Sequence, residues 1–342
     1  MIRCALIGIG GYGWQLAQAI GRASARHGCR LVAAADARLT DFPERAEALR
    51  RDGAELFDDA RKMLAALRGR CEAAYVATGI ASHAPLTVAA AEAGFHVHLE
   101  KPPAATVQEV DAMIAAIEKA RRLCLVGFQA LHSDDIRFLK DRVVSGRLGA
   151  VRSLTCAAGW PRSRSYYARN EWAGRLRCAD GWVLDGPATN ALAHQVANLL
   201  LLASPGAGRL AEPAAVRAEL YAAGGFDSHN VAAMQVRTAG GATATFLCAH
   251  CTEGHFGPTI RLAGDRGRAE WTMGAGARIE YDDGTAEACP FDPAQQDKMV
   301  ANFCEAVRAG DGSRLRCDLR AARNVTLALN GGLVLLLGVL PA

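Results

Sequence analysis

Three glycines near the N-terminus have the spacing of a dinucleotide-binding turn. Gly8, Gly10 and Gly13 lie in the stretch LIGIGGYGWQLAQAI, between a short apolar run and an amphipathic segment. In such a turn the first glycine permits the tight bend, the second lets the backbone approach a pyrophosphate, and the third lets the helix pack closely on the strand. The phosphates then lie at a helix N-terminus, where free N–H groups and the helix dipole favour anions. We predict that Gly11 and Tyr12 contact the same cofactor. The alternative interpretation of the motif is a plain glycine-rich turn, which arises easily in a chain with 35 glycines.

A carboxylate ends the second strand-like run at the distance that a βαβ unit requires. Asp36 follows Gly13 by 23 residues, close to the separation of about 20 residues at which an acidic side chain binds the adenosine ribose of NAD. Its charge disfavours the 2'-phosphate of NADP, so we expect NAD as cofactor. Arg38 leaves NADP as an alternative cofactor, because a guanidinium can stack on adenine or neutralise a 2'-phosphate.

A segment rich in aromatic, arginine and amide side chains is typical of a carbohydrate site. Residues 160–174 read WPRSRSYYARNEWAG, with no clear period. Aromatic rings can lie on the apolar faces of a sugar while planar polar groups bind its hydroxyls. The alternative is an arm that packs against another subunit, because Tyr, Trp and Arg are also enriched at interfaces. The predicted substrate residues are Tyr167, Arg169, Asn170 and Trp172.

The cysteines favour a reduced protein without a metal. Eleven cysteines are scattered singly, and an odd number without regular spacing argues against a disulfide framework. Cys248 and Cys251 have C-x-x-C spacing, with His255 nearby, which could indicate zinc. A closed zinc site usually needs four ligands at recognisable spacings, so we interpret this segment as small residues at a strand end and predict no metal site.

Composition indicates an ordinary globular protein of two domains. The chain has 342 residues, of which 51% are hydrophobic and 22% charged, with a formal net charge of +4 and no long basic run. These values give no reason to expect nucleic acid as a partner. The first strand-like run follows the initiator methionine without room for a signal peptide, so we expect a cytoplasmic protein. The apolar segment LVLLLGVL near the C-terminus is too short to span a membrane and predicts a buried helix.

Alternating strand-like and helical patterns in the first part of the chain predict an α/β fold with a doubly wound parallel sheet. Ligands of such sheets bind beyond the carboxyl ends of the strands. Residues 8–13, Asp36, residues 78–83 and residues 100–103 all fall there. The further cofactor-binding candidates are Thr78, His83, Glu100, Lys101 and Pro102. The strand-like runs are 3–9, 31–35, 73–77, 95–99 and 123–127, and the helical patterns include 12–25, 82–93 and 106–121.

The pattern changes after about residue 150. Alternating stretches such as VRSLTCAAG, NVAAMQVRT, ATATFLCAH and PTIRLAG follow one another with glycine-rich turns. Such alternation predicts antiparallel strands with one face buried. Helical patterns interrupt or follow the strands at 189–202, 294–309 and 319–338.

Three segments together resemble the glucose-fructose oxidoreductase, inositol dehydrogenase and MocA family (Gfo/Idh/MocA). They are LIGIGGYG at the N-terminus, HVHLEKPPAAT at the fifth predicted strand and NALAHQ on a later helix, supported by TGIASHAPL and TIRLAGDRGRAEWT. The resemblance covers nearly the whole chain. It implies a Rossmann NAD(P)-binding domain at 1–127 and, at 128–342, an α+β domain with a large, mainly antiparallel open sheet, whose C-terminal helix can pack back on the first domain. Subunits of the family often pack through that sheet, which implies a homodimer or homotetramer.

The same resemblance implies hydride transfer between NAD(P) and a carbinol of a sugar, inositol or related polyol. Lys101 would lie beside the nicotinamide ribose and the reacting hydroxyl, where a fixed ammonium stabilises anionic character on oxygen. His194 would match the catalytic histidine and exchange the hydroxyl proton, for which an imidazole is suited near neutral pH.

The chain departs from the family pattern four residues before His194. The family commonly has Asp there, on the same helical face, whereas this chain has Asn190. An amide can orient an imidazole and bind a substrate hydroxyl, but it does not offset the charge of a protonated ring. Asp185 in the preceding turn is the alternative source of a carboxylate, unless it only caps backbone N–H groups.

Two other functions remain open at this point. The first is cleavage of a glycoside through transient oxidation by a tightly held NAD, with no net redox change. The second is a non-catalytic protein that senses NAD or a sugar, against which the presence of both Lys101 and His194 argues.

Overall fold

The computed structural model describes residues 1–337, which form two compact units. The first unit comprises residues 1–104, 108–127 and 296–320. The second comprises residues 105–107 and 128–295 and continues from residue 321. The predicted division into 1–127 and 128–342 therefore differs from these units at 105–107 and at 296–320. As a division into functional domains it stays a prediction.

The first unit is built on a six-stranded sheet whose neighbouring strands are all parallel, in the order β3-β2-β1-β4-β5-β6. The central strands are buried on both faces because helices cover both sides of such a sheet. The carboxyl ends of all six strands meet at one edge, which is where ligands bind in this architecture. The strands are β1 Ile2–Ile7, β2 Cys29–Ala35, β3 Glu55–Phe57, β4 Ala73–Val76, β5 His96–Leu99 and β6 Cys124–Val126.

The helices of the first unit come from both ends of the chain. Leu16 and Ile20 of α1 share a buried core with Met299 and Phe303 of α9. This shared apolar core is why residues 296–320 belong to the first unit although they follow the second one in sequence. The helices are α1 Gly11–His27, α2 Pro43–Arg51, α3 Ala60–Ala66, α4 Ile80–Glu92, α5 Val107–Ala120 and α9 Gln295–Ala309.

The second unit contains an eight-stranded sheet in the order β10-β11-β12-β7-β13-β14-β15-β16. Every neighbouring pair is antiparallel except β12 and β7, which are parallel. The strands are β7 Val151–Gly159, β8 Arg177–Cys178, β9 Gly181–Trp182, β10 Pro213–Tyr221, β11 Val231–Thr238, β12 Thr243–Ala249, β13 Phe256–Gly264, β14 Gly267–Thr272, β15 Gly276–Tyr281 and β16 Ala286–Cys289, of which β8 and β9 form a separate pair.

One face of the large sheet is covered by helices and the other is open. Leu154 and Cys156 of β7 are buried, whereas Thr155 between them is exposed, as expected when one face packs on the core. Helices α6 Asp134–Val144 and α8 Ala193–Ala203 pack on this sheet. Helix α10 Leu319–Leu337 also lies on it: a Cβ at Gly331 would be 3.0 Å from Val216, and one at Gly332 would be 2.9 Å from Met234.

The predicted fold class is confirmed, with local differences. The predictions did not include β3, β15, β16, α2, α3 or α6. Most of these elements are short, but α6 was missed although its buried residues Ile136, Leu139 and Val143 have helical spacing. The predicted helix at 189–202 is wrong as a single helix: a π-helical turn at Pro187–Ala191 and then Leu192 precede α8. The predicted helix at 319–338 and the apolar segment 333–340 both extend past the described residues. No helix within residues 1–337 is long and apolar enough to cross a membrane.

Candidate nucleotide and substrate sites

The glycine turn after β1 is packed too tightly for side chains at two of its positions. Gly8 has a φ of +92°, and a Cβ there would lie 2.4 Å from the carbonyl oxygen of Ala77. A Cβ at Gly13 would lie 2.1 Å from the carbonyl oxygen of Gly8. At Gly10 a Cβ would lie 2.8 Å from the ring of Phe42. The turn therefore requires glycine at Gly8 and Gly13, because the obstructing atoms are backbone.

Helix α1 begins directly after this turn without a side-chain cap. Gly10 is the N-cap residue and makes no side-chain hydrogen bond, and the first turn contains no acidic residue. No heavy atom lies within 4 Å of a Cβ position at Gly11. The side-chain amide of Gln296 donates to the hydroxyl of Tyr12 at 3.1 Å. The helix thus presents backbone N–H groups and a positive dipole end to the edge of the sheet.

Asp36 holds the glycine turn from the end of β2. Its Oδ2 accepts from the N–H of Ile9 at 2.8 Å and its Oδ1 accepts from the N–H of Arg38 at 2.9 Å. Each carboxylate oxygen has two lone pairs, so both oxygens can accept a further hydrogen bond. The side chain of Arg38 itself is exposed and lies 3.9 Å from Asp41.

A second guanidinium, not predicted from the sequence, is the one tied to the glycine turn. Arg45 on α2 donates from Nη1 to the carbonyl oxygen of Ile9 at 2.8 Å. Its guanidinium lies 5.1 Å from the ring centroid of Phe42 and 5.6 Å from that of Trp14. In the sequence, the only sign of this cluster is the closeness of Phe42 and Arg45 in the stretch DFPER, residues 41–45. Helix α2 was not predicted.

His83 connects the segments that follow β4 and β5. Its Nδ1 is 2.8 Å from the carbonyl oxygen of Pro102 and its Nε2 is 3.2 Å from that of Thr78. The side chain is buried, and this burial lowers the pKa of His83 to about 4. The neutral ring carries one N–H and donates to one carbonyl at a time. The structure places His83 beneath the two segments rather than on their surface.

Glu100 is a buried carboxylic acid beside Lys101. Its Oε2 accepts from the N–H of Lys101 at 3.2 Å. A Cβ at Gly127 would lie 2.7 Å from its Oε1, so glycine makes room for the carboxyl group. Burial raises the pKa of Glu100 to about 7, although the charge of Lys101 acts in the opposite direction. Lys101 is half-buried and precedes Pro102, to which it is joined by a cis peptide bond.

His194 lies at the start of α8, and Asn190 lies in the π-helical turn before it. The prediction that both residues share a helical face was made for a continuous α-helix, whereas Leu192 separates the π-helical turn from α8. That the two side chains act together stays a prediction. The His194 ring is half-buried and meets the ring of Phe128 edge-on, with centroids 5.9 Å apart.

Asp185 and Asn190, considered as alternatives from the sequence, contact each other. The Nδ2 of Asn190 donates to Oδ1 of Asp185 at 2.7 Å. The other carboxylate oxygen, Oδ2, accepts from the N–H of Gly174 at 2.7 Å. Asp185 is only 3% exposed, so both hydrogen bonds are shielded from water. The carboxylate therefore holds Asn190 and the end of the segment 160–174 together.

The segment 160–174 packs against two aromatic side chains from elsewhere in the second unit, Phe226 and His250. The hydroxyl of Tyr167 is 3.2 Å from Nδ1 of His250, and its ring packs on Phe226 with centroids 4.0 Å apart. Burial raises the pKa of Tyr167 to about 12, so its hydroxyl stays neutral. His250 ends the stretch ATATFLCAH, from which a strand was predicted, and it was not assigned to the site. Its neighbourhood depends on the pairing of distant strands.

The remaining predicted substrate residues have different local roles. Asn170 accepts at Oδ1 from the N–H groups of Trp172 and Ala173, at 3.2 and 2.8 Å, and so shapes the turn of the segment. The guanidinium of Arg169 lies 3.6 Å from the ring centroid of Tyr166 and 5.2 Å from that of Trp172. The structure thus brings Arg169 and Trp172 together.

Two further histidines, His229 and His250, are buried in the second unit. His229 packs against Gly186, where a Cβ would lie 2.3 Å from the histidine ring. Burial lowers the pKa of His229 to about 4, and burial together with nearby positive charges lowers that of His250 to about 3. Cys248 is buried whereas Cys251 and His255 are exposed, and no cluster of three metal-binding side chains occurs within the described residues.

Comparison with known proteins identifies the family. Residues 2–128 match the oxidoreductase family with an NAD-binding Rossmann fold, and residues 136–270 match the GFO/IDH/MocA C-terminal domain. The predicted resemblance and the predicted NAD cofactor are confirmed at this level.

The chain is similar to several named dehydrogenases. It is 36% identical over 116 residues to inositol 2-dehydrogenase of Pseudomonas savastanoi pv. phaseolicola, covering 34% of each chain. It is 31% identical over 133 residues to D-glucoside 3-dehydrogenase of Escherichia coli, covering 39% of this chain and 37% of the other. The matches thus span about a third of the length of these curated relatives.

The fold as a whole is shared with a solved structure. The WlbA dehydrogenase from Bordetella pertussis, in complex with NADH and UDP-GlcNAcA, has a TM-score of 0.79 and 23% identity, with 100% of this chain and 99% of that chain covered. The chain therefore belongs to the GFO/IDH/MocA family of oxidoreductases, whose N-terminal domain is an NAD-binding Rossmann fold.

Proposed function

We propose that the protein is an NAD-dependent dehydrogenase that transfers a hydride between nicotinamide and a carbinol of a sugar, an inositol or a related polyol. The observation that carries the proposal is the glycine turn: Gly8 and Gly13 leave no room for side chains, at the uncapped start of α1 in a chain of this family. The names of the relatives, inositol and glucoside dehydrogenases, support a carbinol as the reacting group.

The residues around the glycine turn fit a dinucleotide. The uncapped N–H groups of α1 suit a pyrophosphate, and both oxygens of Asp36 can accept from ribose hydroxyls. We assign binding of NAD to Gly8, Gly10, Gly11, Tyr12, Gly13 and Asp36. Arg38 is the side chain through which NADP would be accommodated, and its exposure leaves it free to turn towards a 2'-phosphate.

The segments after β4 and β5 would complete the cofactor site. Because His83 is buried and faces the carbonyl groups of Thr78 and Pro102, we propose that it holds these segments in place and does not touch the cofactor. Glu100 would set the local charge beside Lys101, since its pKa near neutrality lets it exist in both protonation states.

Lys101 and His194 would carry the chemistry of the substrate. When bound, NAD supplies the acceptor or donor of the hydride. Lys101 would stabilise negative charge on the carbinol oxygen, and His194 would take the hydroxyl proton in oxidation and return it in reduction. Asp185 would hold the amide of Asn190, which would bind a hydroxyl of the substrate. Tyr167, Arg169 and Trp172 would contact the substrate, and Asn170 would shape their segment.

The proposal is tested by following reduced nicotinamide spectroscopically with a panel of sugars and inositols. We expect turnover with NAD in the wild type and a loss of at least about 100-fold in kcat for Lys101→Ala, since the ammonium acts mainly in the transition state. Lys119→Ala, at an exposed position of α5, is the matched control. Equal turnover in the two variants would remove Lys101 from the chemistry.

The same assay separates the two alternative functions. Release of an aglycone from a glycoside without accumulation of reduced cofactor would favour cleavage through transient oxidation. Tight binding of NAD without isotope exchange between a labelled polyol and nicotinamide would favour a sensing protein.

The open face of the large sheet is our candidate for assembly into a homodimer or homotetramer. Tyr221, Leu247 and Phe256 are exposed there by 55%, 47% and 51%. Exposed apolar groups of this size are typical of protein contacts. Light scattering after gel filtration gives the oligomer number, and Leu247→Glu should shift it towards the monomer. All eleven cysteines are free thiols, which supports a reducing compartment such as the cytoplasm.

A further inference from the structure

The segment that carries the predicted substrate residues is strongly basic. Residues 160–177, called the arginine loop below, contain five arginines and one acidic residue, Glu171. The formal net charge of the whole chain is only +4, so this short segment has a marked local excess of positive charge. The arginines are Arg162, Arg164, Arg169, Arg175 and Arg177.

Several arginines elsewhere in the second unit are matched by carboxylates. On the open face of the sheet Arg261 pairs with Glu270 at 2.8 Å, and Arg268 pairs with Glu280 at 2.7 Å. Such pairs neutralise each other locally and need no ligand. The arginines of the arginine loop are compared below with these paired arginines of the same unit.

Three arginines of the loop lack such a partner. Within residues 1–337 no carboxylate lies within 4 Å of the guanidinium groups of Arg162, Arg164 or Arg169. The other two are occupied: Arg175 pairs with Asp227 at 3.2 Å, and Arg177 lies 4.6 Å from the ring centroid of Trp182. Positive charge is therefore concentrated on the first three.

Arg162 and Arg169 are held in place by the ring of Tyr166. Their guanidinium carbons lie 4.8 and 3.6 Å from its centroid. The N–H of Arg162 also donates to the carbonyl oxygen of His250 at 2.9 Å, which ties this part of the loop to the end of β12. The Nε of Arg162 is buried and makes no hydrogen bond to the described residues. Nη1 of Arg169 donates to the carbonyl oxygen of Tyr166 at 2.6 Å. The other N–H groups of a stacked guanidinium can still donate from its edge, and that edge matches the oxygens of carboxylates and phosphates.

The nearby titratable groups do not cancel this charge. Burial and the charges of Arg162, His229 and Arg169 keep the pKa of His250 at about 3, so the histidine is neutral at pH 7. The Tyr167 hydroxyl is also neutral, and Asp185 is buried and engaged with Asn190 and Gly174. An anion bound at the loop would thus meet a net positive field.

We propose that the arginine loop binds a carboxylate or phosphate group of the substrate, so that the substrate is an anionic sugar derivative and not a neutral polyol. The inference deepens the proposed function and rests on it, because the loop serves catalysis only if the chain is a dehydrogenase. Arg162 and Arg169 supply the charge and the hydrogen bonds, and Tyr166 orients both guanidiniums.

The test compares sugars that differ in their charged group. Glucose, glucuronate, glucose 6-phosphate and UDP-glucose are assayed with NAD for KM and kcat, and their binding to the protein is measured by calorimetry. We expect at least one anionic sugar to have a KM about tenfold or more below that of glucose. A comparison of the KM for glucuronate with the KM values for glucose 6-phosphate and UDP-glucose shows whether the loop binds a carboxylate or a phosphate group.

Variants show whether the loop is responsible. Arg162→Gln and Arg169→Gln should each raise the KM for the anionic sugar about tenfold or more, since charge-assisted hydrogen bonds are lost, and should raise the KM for glucose by a much smaller factor. Arg162→Lys and Arg169→Lys should recover part of the affinity through charge alone. Arg209→Gln, an exposed arginine without an acidic partner elsewhere in this unit, is the matched control and should change neither value. Circular dichroism and Tm confirm that each variant is folded.

The outcomes separate this inference from the proposed function. If sugars are oxidised but anionic and neutral ones have equal KM values that the loop variants do not change, the inference is wrong and the dehydrogenase stands. If no sugar is oxidised but an anionic sugar binds in a manner that depends on Arg162 and Arg169, the anion site stands and the dehydrogenase does not. If no anionic sugar binds at millimolar concentration, the inference is overturned whatever the activity.

Discussion

The side-chain amide of Asn190 donates a hydrogen bond of 2.7 Å to Oδ1 of Asp185, and Oδ2 of the same carboxylate accepts from the N–H of Gly174. The buried carboxylate of Asp185 thus orients the amide of Asn190, at the position where the family commonly has Asp. The same carboxylate anchors the end of the segment that we propose to bind substrate. The departure from the family pattern at Asn190 is therefore accompanied by a carboxylate close by, reached through the turn that precedes α8.

Replacing Asp185 should affect both stability and turnover. In Asp185→Ala the Gly174 N–H and the Asn190 amide lose a charged acceptor, each worth about 1.5–3 kcal/mol. We expect a lower Tm and a fall in kcat of about tenfold or more, because Asn190 is no longer oriented. The exposed Asp180→Ala is the control. An unchanged kcat in a folded Asp185→Ala protein would show that the pair has no part in turnover.

A methyl group at Gly13 should abolish cofactor binding. It would lie 2.1 Å from the carbonyl oxygen of Gly8, which is backbone and cannot move away without opening the turn. We expect the Kd for NAD, measured by calorimetry, to rise at least about 100-fold in Gly13→Ala. Gly21→Ala in the same helix meets no atom within 4 Å and should bind NAD normally while gaining about 0.5–1 kcal/mol of stability. Wild-type affinity in Gly13→Ala would place the dinucleotide elsewhere.

Asp36 should decide between NAD and NADP. Asp36→Ala removes acceptors for ribose hydroxyls and a charge that repels a 2'-phosphate, so the ratio of kcat/KM for NAD to that for NADP should fall at least about tenfold. A lower Tm is also expected, since the Ile9 N–H loses its partner. Asp52→Ala removes an exposed carboxylate at the end of α2 and serves as control. If the ratio stays constant in Asp36→Ala, the ribose is bound by other groups.

The buried histidines should make the protein sensitive to mild acid. Burial lowers the pKa of His98 to about 3 and the pKa of His83 and His229 to about 4, below the value of about 6.5 in an unfolded chain. The unfolded state therefore binds more protons as the pH falls below about 6.5. Each of these histidines should lower the free energy of unfolding below that pH by up to about 1.4 kcal/mol per pH unit, until its folded-state pKa is reached. Glu100, whose pKa is raised to about 7, acts in the opposite direction between about pH 7 and pH 4.5 and should offset about one of the three histidines there. Denaturant titrations between pH 8 and pH 4 measure this slope.

His98 provides a variant for this acid effect. Its ring is fully buried, stacks on Tyr75 with centroids 4.7 Å apart, and neither nitrogen has a hydrogen bond to the described residues. His98→Phe keeps the stacking and removes two unsatisfied polar atoms, so it should stabilise the protein by about 1 kcal/mol at pH 7 and reduce the acid slope. His96→Phe is the contrasting variant, because Nδ1 of His96 accepts from the Leu123 N–H, and it should destabilise. A destabilised His98→Phe protein would contradict the assignment of His98 as a buried group without a partner.

Local sequence features were enough to predict five of the six strands of the first sheet, the glycine turn and most strands of the second sheet. Glycine spacing, apolar runs and strict alternation are read within about ten residues, and the close approach of Gly13 to the carbonyl oxygen of Gly8 lies within that distance. Short elements such as β3 and α2 were missed because they contain too few residues for a period to emerge.

The sequence by itself determined the family, the parallel sheet and the positions of Gly8, Gly13 and Asp36 at its edge, because these follow from residues close together in the chain. Only the tertiary structure decided that Arg45 rather than Arg38 contacts the glycine turn, that Asp185 holds Asn190, and that residues 296–320 return to the first unit. These contacts join residues on separate elements. They depend on side-chain packing and on the break between the π-helical turn and α8, which no local pattern encodes.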